Sequence, residues 1–100
     1  MHIGVMITAD SDFSSLAAAE RIVHSGLHKD WTFSIFFMEN GVYAIKQFTQ
    51  LLTENNHVTL IACAHNCEER ELPIEAGVKS GSQADWARIV EDAERVMVFG

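Results

Sequence analysis

Short, nearly continuous apolar runs alternate along this chain with longer segments in which apolar residues recur at helical spacing. The run Val58–Cys63 has polar residues on both sides, which predicts a strand buried on both faces of a sheet. The other predicted strands are Ile3–Ile7, Trp31–Met38, a candidate short strand beginning at Val78, and Val96–Phe99. Strands that alternate with helices favour a three-layer α/β/α fold with a mostly parallel sheet of four to five strands.

The segments between these strands predict helices. In chain order they span about Phe13–Leu27, Val42–Leu52 and Cys67–Glu71, with a fourth helix after Ser82. Glu54–Asn56 breaks the second helix, and Pro73 stops the third. Ser82 and Asp85 have the Ser-x-x-Asp spacing of a capping box, so the start of the fourth helix is specified locally.

The composition fits one folded domain, residues 1–100, because 48% of the residues are apolar and the chain is long enough to bury a core. Fourteen acidic residues against seven basic ones give a formal net charge of −7, and the lysines and arginines form no cluster. Such a chain repels phosphate backbones and anionic lipids, so neither nucleic acid nor a membrane is expected as a partner. No apolar run approaches the ~20 residues that span a bilayer, and the start lacks a secretory signal, so we expect a cytoplasmic protein.

The loops that follow the predicted strands indicate where a site is expected. In an open parallel sheet, ligands bind at the carboxyl ends of the strands, and the loops Thr8–Asp12, Glu39–Gly41 and Cys63–Asn66 meet at that edge. Cys63 also stands directly before a predicted helix, whose dipole and free N–H groups favour the nucleophilic thiolate. A small buried side chain with no chemical role is the other interpretation, and the position alone favours neither.

Two neighbours of Cys63 are further candidate site residues. Cys67 follows four residues later and is either a thiol that attacks an oxidised or persulfidated Cys63 or, as we favour, a helix residue packed against the sheet. His65 is either a proton donor beside the thiol or a solvated loop residue. No metal site is predicted, because a helix directs His65 away from both cysteines and the next histidine, His57, lies about 20 Å away along the strand.

Acidic side chains surround the expected site. Asp10 and Asp12 follow the first strand, where a nucleotide-binding protein has a glycine-rich phosphate loop, so no nucleotide cofactor is expected. Four glutamates follow Cys63, at positions 68, 69, 71 and 75, and Arg70 is the only cation among them. We interpret the glutamates as a solvated face, and Arg70 as a partner either of these glutamates or of an anionic substrate.

Several short motifs, in matching order along the chain, resemble the DsrE/DsrF-like sulfur-relay family. Residues 36–42, Phe-Phe-Met-Glu-Asn-Gly-Val, resemble its F-F-x-x-x-G-V segment, and Ile61–Ala64 resembles the strand end that carries the relay cysteine. Ser80–Ser82 and Asp92–Phe99 resemble the closing pattern of the family. The likeness extends over most of the chain, although each motif alone is short.

The resemblance implies a parallel α/β/α domain that forms trimers or hexamers, as a homo-oligomer or together with paralogous subunits. It implies that Cys63 accepts sulfane sulfur as a persulfide and passes it to a sulfur-carrier protein partner, with no cofactor. Glu69 and Arg70 stand where active members have a basic pair, and Cys67 stands where they have a small residue. Two alternatives stay open: a non-catalytic oligomeric subunit or small-ligand binder of the same fold, and a redox switch formed by Cys63 and Cys67.

Overall fold

A computed structural model of the chain describes residues 1–10, 14–52 and 56–100. Its strands are β1 (His2–Ile7), β2 (Thr32–Phe37), β3 (Val58–Cys63), β4 (Val78–Gly81) and β5 (Arg95–Phe99). They form one sheet in the order β4-β3-β2-β1-β5, and every neighbouring pair is parallel. The predicted three-layer α/β/α fold is confirmed, and the short strand at Val78 is real.

Helical segments connect the strands. They are α1 (Ser14–Leu27), α2 (Ile45–Phe48), α3 (Ala64–Glu69) and α4 (Gln83–Asp92), with 3₁₀ turns at Glu39–Ala44 and Thr49–Leu52 on either side of α2. Within the described part of the chain, no helix is long and apolar enough to cross a membrane. The predicted helix start at Phe13 and the break at Glu54–Asn55 lie outside the described residues.

The second predicted helix is wrong in detail. The chain winds as a 3₁₀ helix directly after β2, makes one α-helical turn, and returns to 3₁₀ geometry. Gly41 N–H donates to the Met38 carbonyl at 2.9 Å, an i→i+3 bond that tightens this turn into 3₁₀ geometry. The third helix also differs, since it begins at Ala64 rather than at Cys67.

More helices pack on one face of the sheet than on the other. Side chains of α1, α2 and α3 pack on one face and form the main core with alternate residues of β1, β2 and β3. The largest of its fully buried side chains are Phe33, Phe37, Phe48, Ile3, Ile7, Leu16, Ile35 and Leu60. The other face holds a smaller cluster, in which α4 contributes Ile89 and Trp86. Residues that point toward α4 therefore lie under a thin layer of protein.

The path of the chain explains this difference. From β1 to β4 the strands follow one another across the sheet, whereas β5 lies beyond β1 at the opposite edge from β4. The segment with α4 must therefore cross the whole sheet on its way from β4 to β5. Because the strands are parallel, their carboxyl ends share one edge, and α4 begins at that edge immediately after β4.

Candidate functional site

A cleft of about 600 Å³ opens at the carboxyl edge of the sheet, between the end of β3 and the start of α4. Its lining residues are Met38, Glu39, Cys63, Ala64, His65, Asn66, Gly81, Ser82, Gln83 and Ala84. Cys63 is the last residue of β3 and the N-cap of α3, and its side chain is 8% exposed. The sequence-predicted cysteine thus lies in a cavity with room for a second molecule.

The wall beside Cys63 on the β4 side is bare backbone. Cys63 pairs in register with Gly81, which ends β4. A Cβ atom at Gly81 would lie 2.5 Å from Ile61 Cγ2 and 2.7 Å from Asp85 Oδ2, so a side chain does not fit there. Ile61 and Asp85 therefore require a glycine beside Cys63, and Gly81 lines the cleft with backbone atoms only.

A thioether flanks Cys63 on the β2 side. Phe37, the last residue of β2, pairs with Ala62, so Met38, which follows β2, is the lateral neighbour of Cys63 at the sheet edge. Both contact the small apolar cluster under α4, and Gln83 Nε2 donates to Met38 Sδ at 3.4 Å. The immediate surroundings of the thiol are consequently apolar and polarisable, as suits sulfur.

The loop after β2 is held in a strained conformation by Asn66. Glu39 has φ of 52°, in the left-handed region that favours glycine or asparagine. Its N–H donates to Oδ1 of the buried Asn66 at 2.8 Å, and Asn66 Nδ2 donates to Glu69 Oε1 at 3.2 Å. Asn66 therefore ties the Glu39 loop to α3 and fixes one rim of the cleft.

Arg70 also connects the loop that contains Glu39 to α3. Its Nε and Nη2 donate to Asn40 Oδ1 at 3.2 and 3.0 Å, and its Nη1 donates to the Asn66 carbonyl at 3.3 Å. The guanidinium also lies 3.6 Å from Glu69 and 3.9 Å from Glu39. Of the two roles considered for Arg70, pairing with nearby glutamates is the one that the contacts support.

Cys67 faces away from this cleft. It is 2% exposed and belongs to the main core, whereas Cys63 belongs to the small cluster on the opposite face. Burial first, and the neighbouring Cys63 second, raise the pKa of the Cys67 thiol, while Arg70 lowers it. Cys67 therefore stays protonated at neutral pH and is a poor nucleophile. Cys67 belongs to α3, which packs on the face of the sheet opposite to α4.

His65 lines the outer part of the cleft. Its side chain is 78% exposed, and its Nε2 lies 3.6 Å from Glu69 Oε2, one helical turn away. The ring therefore contacts solvent and a carboxylate at the rim, and the site is not closed around it. Among the described residues, no group of three or more His, Cys, Asp or Glu side chains is placed to hold a metal ion.

The capping box at Ser82 is confirmed. The Ala84 N–H donates to Ser82 Oγ at 3.3 Å, and the Ser82 N–H donates to Asp85 Oδ2 at 2.8 Å. That backbone bond, together with the Arg88 guanidinium 2.7 Å away, lowers the pKa of Asp85 below its usual range. The box anchors the start of α4, which forms one wall of the cleft.

The free energy of unfolding should therefore decrease in acid through Asp85. A carboxyl with a lowered pKa in the folded state contributes its full stabilisation above the pKa of the unfolded chain, about 4, and loses it as the pH falls through the folded value. In urea titrations, the stability difference between the unsubstituted protein and Asp85→Asn should shrink from pH 6 to pH 2.5. A difference that stays constant across this range would contradict the role given to the carboxylate.

Several residues that shape the cleft are not identified by any local sequence pattern. The sequence pattern places Met38 in a strand but does not place it beside Cys63, because the lateral neighbour of Cys63 depends on the register between β2 and β3. Asn66 was a loop residue with no assigned role, and nothing in its local sequence indicates that it is buried against Glu39. The turn after Val78–Gly81 was not included among the loops at the site, although its capping box had marked where the helix starts.

These features define a small three-layer α/β domain with a cysteine in a cleft at the carboxyl edge of a parallel sheet. The structure is similar to the crystal structure of the ychN protein from E. coli, with a TM-score of 0.80 and 23% sequence identity. The alignment covers 98% of this chain and 97% of that one. No family model matches the sequence, and no curated protein matches it either. The likeness supports the DsrE-like fold.

Proposed function

We propose that this protein is a sulfur carrier, in which Cys63 takes up sulfane sulfur as a persulfide and passes it to a partner protein. The observation that carries the proposal is the position of Cys63 in a cleft of about 600 Å³, between the thioether of Met38 and the bare backbone of Gly81. The sequence motifs that resemble the sulfur-relay family support the same cysteine. As a free thiol is required, the proposal fits a reducing compartment such as the cytoplasm.

The chemistry is a thiol–persulfide exchange with no net oxidation. The Cys63 thiolate attacks the outer sulfur of a donor R–S–S–H, and a new S–S bond forms between Cys63 Sγ and that sulfur. The donor S–S bond breaks, its electron pair leaves on R–S⁻, and this thiolate takes a proton from water. Delivery is the same exchange, with a thiolate of the acceptor as nucleophile and Cys63 as leaving group.

The Cys67→Ala variant tests the proposal most directly, because Cys63 is then the only cysteine of the chain. After incubation with a small hydropersulfide and removal of the donor, the intact mass should increase by one sulfur atom. The added sulfur should be lost on treatment with a thiol reductant. Absence of any uptake, with a circular dichroism spectrum like that of the unsubstituted protein, would favour a non-catalytic subunit or ligand binder of the same fold.

We also propose that the chain self-associates, as the resemblance implies. Three valines on the α4 side of the sheet support this: Val90 on α4 and Val96 and Val98 on β5 are between 41% and 61% exposed. A partner copy would remove these apolar side chains from water. Light scattering should give a mass that is a multiple of one chain, and Val98→Lys should shift it toward a single chain. A single-chain mass for the unsubstituted protein would contradict this proposal.

A further inference from the structure

We propose, on the basis of the sulfur-carrier function, that Glu39 makes the cleft select sulfur donors by charge. Donors that carry a positive group near the reacting sulfur are preferred, and donors that carry a negative group are disfavoured. The charges around the cleft and the backbone conformation of Glu39 support this role. Glu39 determines which donor is accepted, whereas Cys63 determines whether any donor reacts.

The lining of the cleft carries one formal negative charge, on Glu39, whose carboxylate lies 3.9 Å from Arg70 Nη2. Among the described residues that line it, Glu39 is the only acidic or basic side chain apart from His65, and it is 60% exposed. The group R of a donor whose sulfur reaches Cys63 must lie in this cleft. A charge on R therefore shares the cleft with the Glu39 carboxylate.

The cations near the cleft do not line it, and two of them are paired with other groups. Arg88 binds Asp85 at 2.7 Å, and Arg70 donates to Asn40 and to the Asn66 carbonyl, with Glu39 only at 3.9 Å. Lys79 lies on β4 two residues before Gly81 and lowers the pKa of Asp85 by its charge. Glu69, on the outer rim, lies 3.6 Å from both His65 Nε2 and Arg70 Nη1. An anionic donor therefore meets no lysine or arginine among the described residues that line the cleft.

The backbone at Glu39 gives independent support. At φ of 52° a glycine or asparagine would be less strained than a glutamate. The bond from the Glu39 N–H to the buried Asn66 nonetheless holds this residue in place, with its carboxylate at the rim of the cleft. Glu39 is thus strained, is held in place by the buried Asn66, and carries the negative charge of the cleft. These features are those of a specificity-determining residue.

Three hydropersulfides of equal chain length test the inference: those of cysteamine, 2-mercaptoethanol and 3-mercaptopropionate, which end in an ammonium, a hydroxyl and a carboxylate. Loading of Cys63 is followed by intact mass in the Cys67→Ala background at pH 8. In each protein, the loading rate with the ammonium donor is divided by the loading rate with the carboxylate donor. This ratio is compared between the Cys67→Ala protein and the protein that carries both Cys67→Ala and Glu39→Gln. Since intrinsic donor reactivity cancels, this ratio should fall about tenfold on removal of the charge.

The matched control is Glu91→Gln, which makes the same charge change on the exposed side of α4, away from the cleft. This variant should keep the original ratio, and 0.5 M salt should reduce the ratio in every protein that retains Glu39. If the neutral donor loads Cys63 but Glu39→Gln leaves the ratio unchanged, the charge inference is overturned and the sulfur-carrier function stands. If no donor loads Cys63, the sulfur-carrier function itself fails, and the inference fails with it.

Discussion

Replacing Cys63 with serine should abolish sulfur uptake, whereas replacing Cys67 with alanine should leave uptake close to that of the unsubstituted protein. Cys63 lines the cleft, while Cys67 is 2% exposed in the main core on the other face of the sheet. The raised pKa of Cys67 leaves little thiolate at neutral pH, so this cysteine cannot substitute for Cys63. Uptake of a full sulfur atom by Cys63→Ser would contradict the assignment.

Alkylation rates distinguish the two cysteines without a sulfur donor. With iodoacetamide at pH 7, the Cys67→Ala variant should react through Cys63 much faster than the Cys63→Ser variant reacts through Cys67. The rate at Cys67 should keep rising with pH beyond the usual range of a thiol, because its pKa is raised. Equal rates, or a reversible loss of two hydrogens from the unsubstituted protein on mild oxidation, would instead favour the redox switch.

Replacing Gly41 with alanine should destabilise the protein by about 3 kcal/mol or more, a large part of the stability of a small domain. A Cβ atom at this position would collide with the Ile7 carbonyl oxygen and lie 2.6 Å from its carbon. These are backbone atoms at the end of β1, and Met38 N–H donates to the same carbonyl at 3.1 Å. The collision can be relieved only by moving the loop away from the sheet. The melting temperature should fall by roughly 15 °C.

Gly77→Ala is the matched control. Gly77 has φ of 87° and lies in an exposed turn, so this substitution adds mainly the strain of a left-handed backbone, about 1–2 kcal/mol. Gly41→Ala should therefore be clearly the less stable of the two in parallel urea titrations. An equal loss in both variants would show that the approach of Gly41 to β1 has no special effect on stability.

Much of the fold could be predicted because the signals are local. The apolar run Val58–Cys63 alone predicts a buried strand, and the capping box at Ser82 alone predicts where α4 begins. The position of Cys63 at the carboxyl edge follows from parallel strands alone. The predicted strands all occur, and no predicted strand end differs from the observed one by more than one residue.

The rest depends on contacts between residues far apart in sequence. The neighbour of Cys63 on the β2 side follows from a register that no local pattern contains. The side to which Cys67 points depends on the residue at which α3 begins, and a shift of one residue rotates a helical side chain by about 100°. The buried bond between Asn66 and Glu39 joins residues 27 positions apart, so neither residue alone indicates it.

The attachment of α4 bears on how the cleft can widen for a larger molecule. The helix connects β4 and β5, and each of these strands has a single neighbour in the sheet. Cys63 instead ends β3, which has a neighbour on either side. We therefore expect that any widening of the cleft displaces α4 and leaves the backbone of Cys63 in place.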